Sequence, residues 1–242
     1  MSLILHQFPI SHYCEKVRWA LDYKRVDYHL ENYLPGLHLK KVRAMAGRSS
    51  VPVLQDDDRI IQGSAAIISY LDDRFPEHPL TPEGDALATQ AKEWEQFCDR
   101  DIGVHVRRFC YDTLLREPKI VVPLLAHGGP FWAKPFLRLT FPKLEKVMRK
   151  VMLIREPEVS ESRRALERAL GRLQGALEGR QYLVGNAFSR ADLAAASMLA
   201  PLFMPPEYGL PWPHEVPEPL AGWIADHQKM LGWASGIYRL HR

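Results

Sequence analysis

Cysteine is scarce in this chain, and its spacing suggests no pairing. Cys14, Cys98 and Cys110 are an odd set of three, which supports no disulfide framework. No Cys-x-x-Cys pair offers a thiolate metal site. A reducing compartment is the resulting expectation. An excess of one charge is also missing: 32 Lys and Arg against 29 Asp and Glu leave +3. That is too mild to mark a nucleic-acid partner, which requires clustering as well as sign. No stretch approaches the ~18 consecutive apolar residues of a membrane-spanning helix. The opening Met-Ser-Leu-Ile-Leu-His lacks the basic leader and small-residue cleavage site of a secretory signal, so a cytoplasmic protein is expected. There is no Gly-x-Gly-x-x-Gly, no Walker loop and no His-Glu-x-x-His, so neither a nucleotide nor a metal is expected.

What is present is apolar residues at 46% of 242, enough for one large core or two modest ones. Leu3 to Phe8 is a short apolar strand, broken by Pro9. From His12 to Arg25, Val17, Ala20 and Leu21 recur at helical spacing and share a face. Val26 to Glu31 alternates like a strand, and Leu37 to Met45 fits a short helix. Val51 to Leu54 and Arg59 to Ile61 are two further strands around the polar turn Asp56-Asp57-Asp58. Ser64 stands as an N-cap before the helical run from Ala65 to Leu71. The order β-α-β-α-β-β-α fills residues 1–76. The proline-rich stretch before Gly84 cannot lie within a helix or a central strand, so 77–84 is expected to be a linker. Residues 85–242 show helical periodicity only. The clearest helix runs from Ser160 to Leu177, and Arg190 to Leu199 is so apolar that it must be buried.

Several blocks carry chemistry or folding information. Ser11-His12-Tyr13-Cys14-Glu15-Lys16-Val17-Arg18 follows the first strand. Val51-Pro52-Val53-Leu54 is an apolar strand containing a proline. Gly63-Ser64-Ala65-Ala66-Ile67-Ile68 opens a helix. Far downstream, Ser189-Arg190-Ala191-Asp192 is a Ser-x-x-Asp capping box. In this order and spacing the blocks resemble the glutathione transferase superfamily. The resemblance implies a thioredoxin-like α/β N-terminal domain, an all-α bundle after it, and glutathione as co-substrate.

The resemblance places Ser11 at the family's catalytic serine or cysteine. A hydroxyl at a helix N-terminus favours ionisation of a thiol whose free pKa is ~8.5; the alternative is a plain N-cap serine. Tyr13 is a second hydroxyl near the same point. Cys14 is either reactive or a small buried hydrophobe, and with Ser11 in the first position the two-thiol mechanism of Cys-x-x-Cys proteins is closed. The resemblance further implies a cis bond before Pro52, with the backbone of Val51, next to Ser50, pairing with the cysteinyl unit of glutathione like an added strand. Ser64 and the amides around it would hold the γ-glutamyl carboxylate. Where the family has Glu or Gln this chain has Gly63, so Gln62 or an acid from a partner subunit is the expected substitute. His38 and Lys41 are candidates for the glycyl carboxylate, among the basic residues Lys40 and Arg48.

For the second substrate, a small hydrophobic electrophile, the expected wall is Phe8, Ile10, His12, Arg107, Arg108 and Tyr111, with Pro211-Trp212-Pro213 as a covering loop. The basic, aromatic segment 130–153 fits either a solvated helix packed on the core or a helix lying on an anionic membrane surface. A homodimeric transferase is the leading expectation. A glutathione-dependent isomerase, a thiol reductase using Cys14 and a non-catalytic binding module are the alternatives.

Overall fold

The computed structural model describes residues 3–242. The strand β1 (Leu3–Gln7) lies inside a four-stranded sheet with β2 (Tyr28–Asn32), β3 (Val53–Asp56) and β4 (Arg59–Gln62), in the spatial order β2-β1-β3-β4. β1 runs parallel to β2 and antiparallel to β3, and β3 is antiparallel to β4. Helix α1 (His12–Tyr23) makes the crossover between the parallel strands, as such pairs require. Its buried stripe includes Val17, Ala20 and Leu21, as the spacing predicts. Arg25 turns with φ 54°, which delays β2 to Tyr28. Helix α2 (His38–Ala46) follows, and α3 (Ser64–Arg74) packs against α1 and β4.

β3 starts at Val53, two residues later than the apolar run suggests, because Pro52 has no N–H to give to the ladder. The Val51–Pro52 peptide is cis. The first helical residue of α3 is Ser64, and its N-cap is Gly63, one residue before the position expected from the sequence.

Residues 75–84 contain no strand or helix but are firmly tied. Asp72 accepts from the backbone N–H of Leu80 (3.0 Å) and Thr81 (2.8 Å). Leu80 is fully buried, and its carbonyl accepts the N–H of Arg190 at 2.8 Å.

Beyond this stretch the chain is helical: α4 (Asp85–Phe97), a π-turn (Cys98–Gly103), α5 (Val104–Leu114), α6 (Pro118–Ala126), α7 (Ala133–Val151), α8 (Glu158–Ala176), α9 (Arg190–Phe203), α10 (Leu220–Asp226) and α11 (Gln228–His241). α9 is the axis of the bundle, with Ala191 to Ala200 buried on every side. It packs on α4, α5 and α11, and also on α1 of the α/β region. One apolar core therefore runs from Leu5 through Val17 and Leu193 to Tyr238. Gly103 sits where α1, α9 and the π-turn meet, and a Cβ there would come within 2.7 Å of the Tyr13 hydroxyl and 2.5 Å of Met198 Sδ. The architecture is α/β plus all-α, as the sequence predicts. α7 buries Leu137, Phe141 and Met148 and turns Leu139, Val147 and Val151 outward beside its lysines. Among the described residues no helix is long and apolar enough to cross a membrane.

Candidate functional site

The β1–α1 junction separates two depressions. Ser11 is the N-cap of α1, and its Oγ accepts the Cys14 N–H at 3.4 Å. Accepting there uses a lone pair and leaves the hydroxyl proton free to donate. The neighbours of Ser11 face different ways: Ile10 and His12 line a slot toward the helical bundle, and Tyr13 lines a cleft toward the sheet.

The cleft, of about 300 Å³, is walled by Tyr13, Val51, Pro52, Gln62, Gly63 and Ser64, with Asp99 of the π-turn at one side. Among the described residues the backbone N–H and C=O of Val51 make no backbone hydrogen bond, whereas the neighbouring Pro52 carbonyl accepts from Gly63. The free N-terminal amides of α3 open at the same place. Ser64 itself is nearly buried.

Other expected cleft residues are occupied. Gln62 Nε2 donates to the carbonyls of Ser50 (2.7 Å) and Arg48 (2.9 Å), so it braces the loop before Val51. Lys41 pairs with Glu31 at 2.8 Å and lies over the Tyr33 ring. His38 is buried edge-on against Phe8, with ring centroids 4.6 Å apart, and burial pushes its pKa down. Neither His38 nor Lys41 lines the cleft.

Of the other catalytic candidates, Tyr13 is engaged within the fold and Cys14 takes the buried one of its two expected readings. The Tyr13 hydroxyl donates to the Asp99 carbonyl at 2.5 Å, so its proton is engaged, and burial raises its pKa further. Cys14 is wholly buried and its pKa is raised, by burial first, against a smaller opposing effect of the Ser11 hydrogen bond. A nucleophilic thiol needs access and a lowered pKa; Cys14 has neither.

The slot is apolar and narrow, about 50 Å³. It is bounded by Ile10, His12, Arg107, Tyr111, Leu114 and Trp212. The loop carrying Trp212 is tied to the α/β region through Tyr208, whose hydroxyl donates to the Ile10 carbonyl at 2.9 Å. His12 is fully buried, and its pKa falls to about 3, first through desolvation and then through the Arg107 charge. Burial also pushes the Cys110 thiol up to about 12. Phe8 and Arg108 are not in the wall. Phe8 packs with Tyr33, Val42 and Val53 on the other side of the sheet. Arg108 turns to α8, donating to Ser162 Oγ (2.6 Å) and the Met152 carbonyl (3.0 Å). Adjacent helical residues point ~100° apart, so Arg107 and Arg108 cannot both face one slot. Asp99 of the cleft, and Leu114 and Leu124 of the slot, carry no sequence signal, because tertiary packing alone brings them to residues 10–13. Among the described residues no cluster of three His, Cys, Asp or Glu side chains could hold a metal.

A thioredoxin-like sheet with a cleft at a serine-capped helix, joined to a helical bundle, defines a class of glutathione-binding folds. Comparison with known proteins agrees. A family model described as "Glutathione S-transferase, N-terminal domain" matches residues 5–79, and "Glutathione S-transferase, C-terminal domain" matches 133–219. The chain belongs to the glutathione S-transferase superfamily. It is 26% identical over 161 residues to a maleylacetoacetate isomerase of Dictyostelium discoideum, covering 61% of this chain and 67% of that one. It is 41% identical over 87 residues to glutathione S-transferase Z2 of Arabidopsis thaliana, covering 34% and 38%; that match spans little more than a third of the relative's length. A glutathione S-transferase structure from Methylobacterium radiotolerans, in complex with glutathione sulfonate, superposes with TM-score 0.66 at 20% identity over 98% of this chain and 90% of that one.

Proposed function

We propose that the protein is a glutathione transferase in which Ser11 donates a hydrogen bond to the bound thiolate. The observation that carries this reading is the cleft in which the first turn of α1, through Tyr13, meets the N-terminus of α3 and the unpaired backbone of Val51; Ser11 caps α1 two residues before Tyr13 and itself lines neither the cleft nor the slot. An extended peptide bearing two carboxylates and a thiol finds there a strand edge and a positive helix end. The thiol proton leaves to solvent, the thiolate is held at Ser11, and an electrophile in the adjoining slot meets it. The protein's task is then positioning and charge stabilisation. A cytoplasmic homodimer is part of the proposal, resting on family membership and on three buried, unpaired cysteines; sedimentation equilibrium tests the dimer.

The Dictyostelium relative, named a maleylacetoacetate isomerase, favours one second reading: the same thiolate adds to an unsaturated substrate and departs again after bond rotation.

Calorimetry with glutathione, followed by titration of the bound thiol by its thiolate absorbance, tests the reading. One hydrogen bond to a charged acceptor contributes roughly 1.5–3 kcal/mol. At about 1.36 kcal/mol per unit, Ser11→Ala is expected to raise the bound thiol pKa by about one to two units while leaving affinity within a few-fold. Absence of binding at millimolar glutathione would overturn the reading and leave a non-catalytic member of the fold.

A further inference from the structure

Segment 130–153 lines neither the cleft nor the slot, and it carries the chain's positive charge. It holds six Lys and Arg against the single acid Glu145, whereas the other 26 Lys and Arg face 28 Asp and Glu, leaving the rest of the chain at −2. Its helix, α7, is 19 residues long, about 28 Å. The inner face closes a second apolar core through Leu137, Phe141 and Met148, with α6 packed against it. The outer face mixes two chemistries. Leu139, Lys143, Lys146, Val147, Lys150 and Val151 are all exposed and are linked by spacings of three and four, so basic and apolar side chains share one face. Phe131 and Trp132 precede the helix; Phe131 is 95% exposed, Leu139 85% and Val151 74%. Of the twelve large hydrophobic side chains exposed among the described residues, six lie within 131–153, so this apolar surface is concentrated rather than scattered. Arg149 is held by Asp112 and Glu145, but among the described residues Lys134, Arg138, Lys143, Lys146 and Lys150 are in no salt bridge. Lys134 and Arg138, like Lys146 and Lys150, are equal charges four residues apart, which repel along a helix. A helix facing only water relieves such repulsion with interspersed acids; here the complement has to come from outside the chain.

We infer that this face docks on a membrane surface bearing anionic lipid, with the lysines against the headgroups and Phe131, Trp132 and Leu139 entering between them. Charge complementarity calls for an anionic occupant, and the side-chain types select which. A protein partner fits less well, because protein interfaces are depleted in Lys and four of the five unbridged cations are lysines. Nucleic acid fits less well again, because the aliphatic Leu139, Val147, Val151 and Leu153 offer bases no stacking surface. A bilayer surface accepts both chemistries. Ammonium groups on flexible stems reach the phosphates while the stems and the aliphatic groups lie among the headgroups, and Trp favours that depth. The inner face of α7 is already taken by the protein core, so the contact is shallow, driven by charge and weakened by salt. The inference does not depend on the transferase reading.

Cosedimentation of the full chain with lipid vesicles is the test. Wild type is expected to pellet with phosphatidylcholine vesicles containing about 30 mol% phosphatidylglycerol at about 50 mM NaCl, and to be released at about 0.5 M. It is expected to stay in solution with phosphatidylcholine alone. A basic residue near such a surface contributes about fivefold in partitioning, so the triple change Lys143→Gln, Lys146→Gln, Lys150→Gln is expected to lower the partition coefficient about a hundredfold. Phe131→Ser with Leu139→Ser is expected to lower it about tenfold. The control triple Lys92→Gln, Arg180→Gln, Lys229→Gln removes the same charge from exposed positions elsewhere and is expected to leave partitioning within about twofold. Brominated lipid is expected to quench part of the tryptophan emission of wild type, and Trp132→Phe to lose most of that quenching, which locates the contact. Wild type that stays in solution with the anionic vesicles at low salt overturns the inference, and retention on immobilised polyglutamate would then give the face to an acidic protein. Equal losses in the α7 triple and the control triple also overturn it, because net charge rather than this face would be responsible. Binding to phosphatidylcholine alone as strong as to the anionic vesicles removes the anionic lipid.

Discussion

Gly63 takes φ 100° and ψ 136° at the head of α3, a backbone region that side chains other than hydrogen rarely enter. A Cβ built there meets nothing within 4 Å, so sterics with neighbours do not require glycine; the backbone does. Gly63→Ala is expected to cost about 1–3 kcal/mol, read as a lower urea midpoint with an unchanged slope. His12 gives a second prediction at this scale. Its pKa is 6.5 as a free side chain and about 3 in the fold, lowered first by desolvation and then by Arg107. Between those values the unfolded chain binds a proton that the folded chain refuses, so stability is full above pH 6.5 and declines as pH falls toward 3. One such proton changes stability by at most about 1.4 kcal/mol per pH unit. Other histidines, such as His6 and His38, are shifted in the same direction, so the comparison must be with a variant. His12→Phe is expected to flatten the pH dependence of unfolding by one proton over that window, whatever it does to the absolute stability.

Elements differ in how much of their structure the sequence discloses, and the difference is one of range. The Ser189–Asp192 capping box is local and legible. The Asp192 carboxylate accepts the N–H of Ser189 at 3.1 Å, as the four-residue pattern predicts, and also the N–H of Leu183 at 2.8 Å. Asp192→Ala would strand both buried donors at roughly 1–3 kcal/mol each. Asp192→Asn retains an acceptor oxygen and is expected to cost less; chemical denaturation of the two variants gives the order. The cleft was legible for a similar reason. All of its lining but Asp99 falls within 13–66 and belongs to short motifs, each with its own local cause: a first helical turn, a proline and a helix start. The slot was only half legible. Ile10, His12, Arg107 and Tyr111 were identified, but Phe8 lies past the end of β1 and turns to α2, and Arg108 lies ~100° around α5 from Arg107. Periodicity shows that a helix has faces, not which neighbour each face meets. The engagement of Gln62 with the 48–50 loop is likewise a tertiary fact with no local pattern.

At the scale of the whole molecule, one buried chain of charge joins both halves of the fold beneath the cleft. Lys16 of α1 is fully buried and lies 3.1 Å from Glu95 of α4, which in turn is 2.6 Å from Arg190 of α9. Arg190 continues to the Ala65 carbonyl and Ser69 Oγ of α3, each at 3.1 Å, and to Thr81 at 3.0 Å. Burial opposes the charge on Lys16, but Glu95 and Asp99 more than offset it, so its pKa rises and it stays protonated. Such a network adds little net stability, because desolvation consumes most of the attraction, whereas removing one member is costly. Glu95 is the only member touching both cations, so Glu95→Ala leaves Lys16 with Asp99 alone and Arg190 with neutral partners. The expected loss is about 3–5 kcal/mol, a large part of the ~5–15 kcal/mol that holds an ordinary domain together. A lowered urea midpoint checks it. The triple change Lys16→Met, Glu95→Met, Arg190→Met removes the stranded charges as well and is expected to recover stability above that of Glu95→Ala. If instead the triple variant is weaker still, the charges stabilise the fold on their own account. The seam between the α/β sheet and the helical bundle would then be held by electrostatics as much as by the apolar core that crosses it.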